Sequence, residues 1–262
     1  MDAYKISDLY DKKLDKPYYN LDCMDDIYAN ALKYENEHRS NPNYMKEVQP
    51  RINEAMRMRL LDWTMEVSNK LGLTDETFFL SVYYLDKFLS YHTIHRQQLQ
   101  VYGMACLLIA MKYNESLEPP HLKTLVYYGG GAYNKHDLIL AEGMVLNVLG
   151  FNCCIVTELD FLTHYARAMN SSEMTYSIAK YALELCLLST TYLKYKPSCL
   201  TACAVYLAHY ITNRMSDYKL NMSEKYTHYS YNDMEECLKD MCKIKIDVNK
   251  LFIAKKYNGK LI

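Results

Sequence analysis

Glycine and proline are scarce in this chain, 8 and 6 of 262 residues. So few breakers, in a sequence that is half hydrophobic, exclude a disordered or loop-dominated protein and favour long helices in a packed core. Long apolar runs are missing as well. The longest, Met104 to Met111 and Ala202 to Ala208, fall far short of the ~18–20 residues that span a bilayer. The first residues, Met-Asp-Ala-Tyr-Lys-Ile-Ser-Asp, lack the basic-then-apolar profile of a secretory signal. No membrane association is expected. Neither sign of charge dominates: 30 Lys+Arg face 31 Asp+Glu, for a net charge of −1 and a pI near 6.7. A nucleic-acid-binding protein carries a basic face and a high pI, so no nucleic acid is expected as a partner.

Catalytic motifs are equally absent. The sequence has no GxSxG elbow, no HExxH pair and no P-loop. Gly129-Gly130-Gly131 lacks the Lys-Ser/Thr that completes a phosphate cradle and reads as an inter-helix loop. His92 and His95 sit three apart in a turn, without the further ligands a metal site needs. No isolated close pair of carboxylates stands out. The nine cysteines are Cys23, Cys106, Cys153, Cys154, Cys186, Cys199, Cys203, Cys237 and Cys242, and no CxxC pair is among them. Most lie among apolar residues and read as buried free thiols of a reducing compartment, the nucleus or the cytoplasm. Cys199 and Cys203 share a helix face at i, i+4, but their neighbours are core residues, so packing is their expected role. A non-catalytic protein without cofactor or metal is expected.

What is present is helical periodicity. Residues 1–24, polar with tyrosines and Pro17, read as a flexible leader. Asp25 to Arg39 places Ile27, Ala31 and Tyr34 on one face, and Ser40-Asn41-Pro42-Asn43 is turn chemistry. A strong helix is expected from Pro50, with Met56, Leu60 and Trp63 at i, i+4 and i+7, ending at Gly72. Thr74 caps a second helix through Ser90, with Asp75 and Glu76 in its first turn. The third, Arg96 to Tyr113, is apolar nearly all round and belongs at the centre of a domain. Pro119-Pro120 opens a short fourth helix, and Asn134 to Leu149 forms a fifth. The second half repeats the plan, with helical stretches at about 157–169, 173–193, 197–213, 217–228 and 232–255. Its own apolar-all-round member, Cys199 to Ile211, follows the first by about 98 residues. The expected fold is all-α. A short N-terminal helix over 25–46 precedes two consecutive five-helix lobes, 47–152 and 153–258.

Met56-Arg-Met-Arg-Leu-Leu-Asp-Trp63, continued by Glu66 and by Leu80-Ser-Val-Tyr-Tyr-Leu-Asp-Lys-Phe-Leu-Ser90, closely resembles the cyclin box. In mitotic A/B-type cyclins that pattern reads approximately MRAILVDWLVEV, then LAVNYIDRFLS. The resemblance continues through Leu99-Gln100, Ala110-Met-Lys112-Tyr-Asn-Glu115 and Glu142 to Phe151. In the second half, Tyr192-Leu-Lys-Tyr-Lys-Pro-Ser198 is similar to the family's YLKYLPS. Roughly residues 25–255 are covered, at several motifs in the right order, and the implied architecture is two cyclin-box folds.

The resemblance implies a regulatory subunit that binds and activates a cyclin-dependent Ser/Thr protein kinase in the control of cell division. Such a subunit docks beside the kinase's regulatory helix, pushes it inward and shifts the activation segment. Lys112 and Glu142 match the family's pair of kinase-contacting polar residues, and Ile27, Leu108, Tyr113, Leu146 and Phe151 are expected to add apolar contacts. Arg57 and Asp86 match an internal ion pair. Met56, Leu60, Trp63, Arg96, Leu99 and Gln100 would form a shallow groove for Arg-x-Leu segments of substrates or inhibitors, with Glu66 pairing the peptide arginine. Three positions depart from the family pattern. Arg59 stands where an aliphatic residue is usual, Asn30 replaces a tyrosine, and Asn114 replaces the first acid of Phe-Glu-Glu; positions 30 and 114 are expected near the kinase face. A cyclin-fold transcription factor and a kinase-independent scaffold stay open as alternatives. Lys112 and Glu142 also fit a capping lysine and an exposed glutamate, and Met56, Leu60 and Trp63 also fit simple inward packing.

Overall fold

The computed structural model describes residues 21–37, 39–115, 121–212, 224–244 and 246–258, with side chains from residue 26 onward. Among them every regular element is helical. Helix α1 (Leu21–Tyr34) and the single turn α2 (Tyr44–Glu47) precede a first lobe of α3 (Glu54–Lys70), α4 (Asp75–Tyr91), α5 (Leu99–Asn114), α6 (Leu122–Tyr128) and α7 (Lys135–Leu149). The second lobe holds α8 (Glu158–Ala168), α9 (Glu173–Leu187), α10 (Pro197–Ile211), a helical turn at 224–227, and α11 (Tyr231–Cys242). A last helix, α12 (Phe252–Tyr257), follows.

Capping chemistry sets most helix starts. The Asn53 side chain accepts the Met56 amide at 3.0 Å. So α3 begins at Glu54, and Pro50 lies in the turn before it. Asn134, Thr157 and Ser230 form capping boxes with Asp137, Asp160 and Asp233. Pro197 occupies the first turn of α10, where its missing N–H costs nothing.

Two stretches that read as continuous helix are broken. The helix expected over 173–193 ends at Leu187, and Ser189 caps a 3-10 segment, Thr190–Lys194, by accepting the Thr191 amide. Hydroxyl side chains compete with the helix for local backbone groups. The stretch expected over 232–255 stops at Cys242. Asp62 of α3 then accepts the amides of Phe252 and Ile253, at 2.9 and 3.3 Å, and starts α12 against the first lobe. That cap comes from a residue far away in sequence, so periodicity does not reveal it. Pro119-Pro120, residues 1–20 of the leader and most of the 217–228 stretch lie outside the described residues.

Each lobe wraps a buried helix. In the first, Met104 through Met111 of α5 are at most 3% exposed and pack against α3, α4 and α7. Gly103 permits the close approach of α3, because a Cβ there would stand 2.8 Å from the Leu60 methyls. In the second lobe α10 takes the central place, against α8, α9 and α11. Each leucine-sized side chain buried this way stabilises the fold by ~1.5–3 kcal/mol.

Candidate functional site

The Arg57 and Asp86 side chains meet inside the protein. Arg57 Nε lies 2.7 Å from Asp86 Oδ1 and Nη2 lies 2.5 Å from Oδ2, a bidentate pair with side-chain exposures of 1% and 3%. Tyr44 donates its hydroxyl to Asp86 Oδ1 at 2.8 Å. Arg57 Nη1 donates to the Leu187 carbonyl at the end of α9, also at 2.8 Å. The guanidinium therefore joins α3 to α4 and the first lobe to the second. Burial works against its charge, but the Asp86 carboxylate outweighs that and raises the Arg57 pKa. The pair offers no surface to a partner.

Further polar struts cross between the lobes. The buried Glu35 carboxylate, just past the end of α1, accepts the Ser198 amide and hydroxyl at 3.0 and 2.9 Å, at the start of α10. Arg39 donates to the carbonyls of Leu193, Lys194 and Tyr195. Asp75 pairs with Lys180 at 2.5 Å and Lys256 at 2.8 Å, while Lys256 also holds Glu184 at 2.7 Å. Burial favours the protonated Asp75, but Lys256 and Lys180 prevail and hold its carboxyl down at about 2. Its neighbour Glu76 has the opposite surroundings. Glu76 accepts the Thr157 hydroxyl at 2.8 Å, and Asp160 accepts the Thr157 amide at 2.8 Å. Burial, then the nearby Asp160 charge, push Glu76 up to about 8, and burial raises Glu158 to about 7. The sequence showed no close carboxylate pair, because these groups approach only when α4 meets α8.

The outer surface gathers several of the other candidate residues. Lys112 ends α5, where a cation suits the helix dipole, and its Nζ lies 2.5 Å from Glu142 Oε1 of α7, with side-chain exposures of 47% and 13%. Tyr113 and Phe151 are exposed and Leu146 is half-buried. Ile139, one turn before Glu142 on α7, is exposed too and was not singled out from sequence. Cys154 sits beside the Tyr113 hydroxyl and, with some burial, pushes that phenol up to about 12. Gly150 and Phe151 both adopt left-handed backbone, φ 60° and 59°, and the Phe151 amide donates to the Leu146 carbonyl at 2.9 Å. For an aromatic residue this conformation costs about 1–3 kcal/mol, and it leaves the ring 67% exposed. Ile27 is exposed on α1, beside Tyr28, which stacks on His164 and bonds Tyr165 of α8.

One expectation for this surface is corrected. Leu108 is only 1% exposed, because α5 stays buried as far as Met111 and just its last turn emerges; Leu108 is a core residue with no contact area to offer. Asn114, beside Tyr113, is half-buried. It donates to the Thr74 and Thr77 hydroxyls at 2.9 and 3.0 Å, while Glu115 accepts the Thr74 amide at 2.8 Å. The two residues close the N-terminus of α4, where a carboxylate is favoured. Asn30 remains exposed on α1.

The residues expected to form a docking groove divide by depth. Leu60 and Leu99 are buried, Met56, Trp63 and Gln100 are half-buried, and Arg96 is exposed. Glu66 is engaged by Lys70 at 2.7 Å on its own helix, and Arg59 is exposed. Of the apolar members, only Met56 and Trp63 keep part of their surface open.

Both halves of the chain match known family models. "Cyclin, N-terminal domain" matches residues 26–154 and "Cyclin, C-terminal domain" matches residues 156–260. Human cyclin-A1 is 36% identical over 225 residues, which are 86% of this chain and 48% of that protein. The G2/mitotic-specific cyclin-A of Patella vulgata is 36% identical over 218 residues, 83% of this chain and 50% of that protein. The chain thus spans about half the length of the curated relatives it matches. A viral cyclin from herpesvirus saimiri superposes with a TM-score of 0.68 at 20% identity, covering 84% of this chain and 97% of that one; at such identity the likeness speaks for the fold alone. With two lobes built round α5 and α10, and a family match to each, the chain belongs to the cyclin family.

Proposed function

We propose that this cyclin is a non-catalytic subunit that binds and activates a cyclin-dependent Ser/Thr protein kinase, acting in the nucleus or cytoplasm to drive cell-cycle progression at mitosis. The observation that carries this reading is the exposed apolar group of Tyr113, Phe151 and Ile139, with Leu146, around the Lys112–Glu142 pair. Exposed apolar residues rimmed by charge mark interaction surfaces. The strained backbone that turns Phe151 outward fits the same role. The G2/mitotic-specific name of one relative supports the mitotic assignment.

The mechanism is a shift of population. The partner kinase samples active and inactive arrangements, and this surface activates it by binding the active one more tightly. The groups that transfer phosphate stay on the kinase chain. Residues 47–152 and 153–258 are the two lobes in this reading, with 25–46 as a strap beside them. Met56, Trp63, Leu60 and Leu99 form the docking groove for Arg-x-Leu segments, which Arg59 weakens by repelling a basic peptide.

The test is phosphorylation of a histone-type substrate by a panel of purified cyclin-dependent kinases, with and without this protein. Strong activation of one member is expected. Lys112→Glu is expected to abolish that activation while leaving the melting temperature nearly unchanged, because an exposed pair contributes only ~0–1 kcal/mol. A variant that loses stability and activation together would make Lys112 a structural residue. Activation of no kinase by folded protein would overturn the whole reading.

A further inference from the structure

Helices α10 and α11 bring three cysteines together. Cys199 and Cys203 stand one turn apart on α10, Cys237 faces them from α11, and the three sulfurs lie within 4.8 Å of one another. All three residues are buried, at 8%, 0% and 0% exposure. From sequence, Cys199 and Cys203 read as core filler, because Cys237 is far along the chain and no CxxC spacing announces the group. Aliphatic side chains would fill the same volume, so packing alone does not require sulfur at all three corners.

The chemistry of the corners differs. Cys199 lies in the first turn of α10 next to Lys196, a setting that stabilises a thiolate. Hydrogen bonds from the Cys203 and Cys237 thiols lower the pKa of the Cys199 thiol and leave those two raised. The Cys203 thiol also points at the Met234 carbonyl, 3.8 Å away. Binding a metal displaces the remaining thiol protons to solvent and leaves the metal's oxidation state unchanged.

Thiolate ligands select soft ions such as Cu(I) and Zn(II). Metal–sulfur bonds of ~2.3 Å place three ligating sulfurs of a trigonal site roughly 4.0 Å apart, so the cluster needs to contract by about 1 Å at most. Among the described residues no histidine or carboxylate joins the three sulfurs within that distance. A tetrahedral zinc site wants a fourth ligand, whereas three sulfurs alone suit trigonal monovalent copper. We propose that Cys199, Cys203 and Cys237 form a site for a soft thiophilic metal ion, Cu(I), that staples α11 to the central helix of the second lobe. The site uses none of the residues of the kinase-binding surface.

The experiment titrates the full reduced chain with Cu(I) under anaerobic conditions against a chromophoric Cu(I) chelator, with Zn(II) in a parallel arm. Withdrawal of about one copper per chain is expected, and X-ray absorption at the copper edge should report about three sulfur neighbours and no nitrogen or oxygen. Cys203→Ala should weaken retention by more than the roughly 10–100-fold that loss of an outer-sphere partner costs, while Cys154→Ala leaves it unchanged. Should Cys203→Ala fail to fold, the absorption measurement on the unaltered chain decides the matter alone. Failure to compete with the chelator, copper bound through two sulfurs or fewer, or full retention by folded Cys203→Ala would each overturn the site. Retention of zinc but not copper would overturn the three-coordinate assignment.

Discussion

The two central helices do the same architectural work with different chemistry. The buried side chains of α5 are apolar throughout, and its one buried hydroxyl, on Tyr102, meets the Met144 sulfur at 3.2 Å. Helix α10 buries Ser198, Thr201 and His209 among its apolar residues. Ser198 is held by Glu35 and by the Tyr229 hydroxyl at 2.7 Å, Thr201 donates to the Pro197 carbonyl at 2.7 Å, and His209 meets Ser171 at 3.0 Å. A dry helix is positioned by shape. A helix with buried polar groups is positioned by partners, each of which must be met. Because Glu35, at the turn that ends α1, is one of those partners, the α1 segment is a working part of the second lobe, although it precedes the first in sequence.

The strongest way to break this comparison is to cut the bond the lobes share. Asp86→Ala leaves the Arg57 guanidinium buried without its counter-charge, and ~3–5 kcal/mol of stability is expected to be lost. Because Arg57 also donates to Leu187 of α9, both lobes should soften together in hydrogen exchange during the same denaturant titration. A loss confined to the first lobe would show that the Arg57–Leu187 bond is incidental.

A pair of smaller changes separates the two helices. Gly103→Ala forces the Leu60 side chain to move, since its methyls stand 2.8 Å from the new Cβ, and about 1–3 kcal/mol is expected. Faster exchange should appear in α3 and α5 and leave α10 as it was. Glu35→Ala removes the acceptor for the Ser198 amide and hydroxyl, at a similar cost of about 1–3 kcal/mol, and should loosen α1 and the first turn of α10. If either variant softened both central helices equally, shape and hydrogen bonding would not be separate devices.

The same contrast explains what was readable in the sequence. Helices α4 and α5 announce themselves, because Thr74 with Asp75 and Glu76 is a local cap and the apolar run of α5 is a local pattern. The Arg57–Asp86 pairing came from family resemblance and not from spacing. The role proposed for Lys112, Glu142, Tyr113 and Phe151 rests on the same resemblance. Leu108 was misassigned because its burial depends on how far α5 runs before it emerges, which is a property of its neighbours. The bonds of Asn114 to Thr74 and Thr77, the restart at α12 under Asp62 and the meeting of Cys237 with Cys199 and Cys203 are long-range contacts. Such contacts leave no trace in a short window of sequence.

A last test probes the seam between the lobes through pH. Folded Glu76 binds its proton up to about pH 8, against an ordinary carboxyl value of 4.5. The native state therefore holds an extra proton across that window, and stability is full below it and falls as pH rises through it. Glu158 acts with the same sign up to about 7, and no cation contributes to raising or lowering Glu76 as strongly as burial and Asp160 do. Asp75, one residue away, has the opposite sign: its contribution is present above 3.8 and is lost as pH falls through about 2. The melting temperature is thus expected to decline between pH 5 and 8.5, in steps of about one pH unit by scanning calorimetry. Glu76→Gln keeps an acceptor for the Thr157 hydroxyl but has no charge to develop. It should flatten most of that decline and melt above the parent at the alkaline end. A variant that keeps the whole slope would move the titration to Asp160 and Glu158, and with it the part of the interface that alkaline pH weakens.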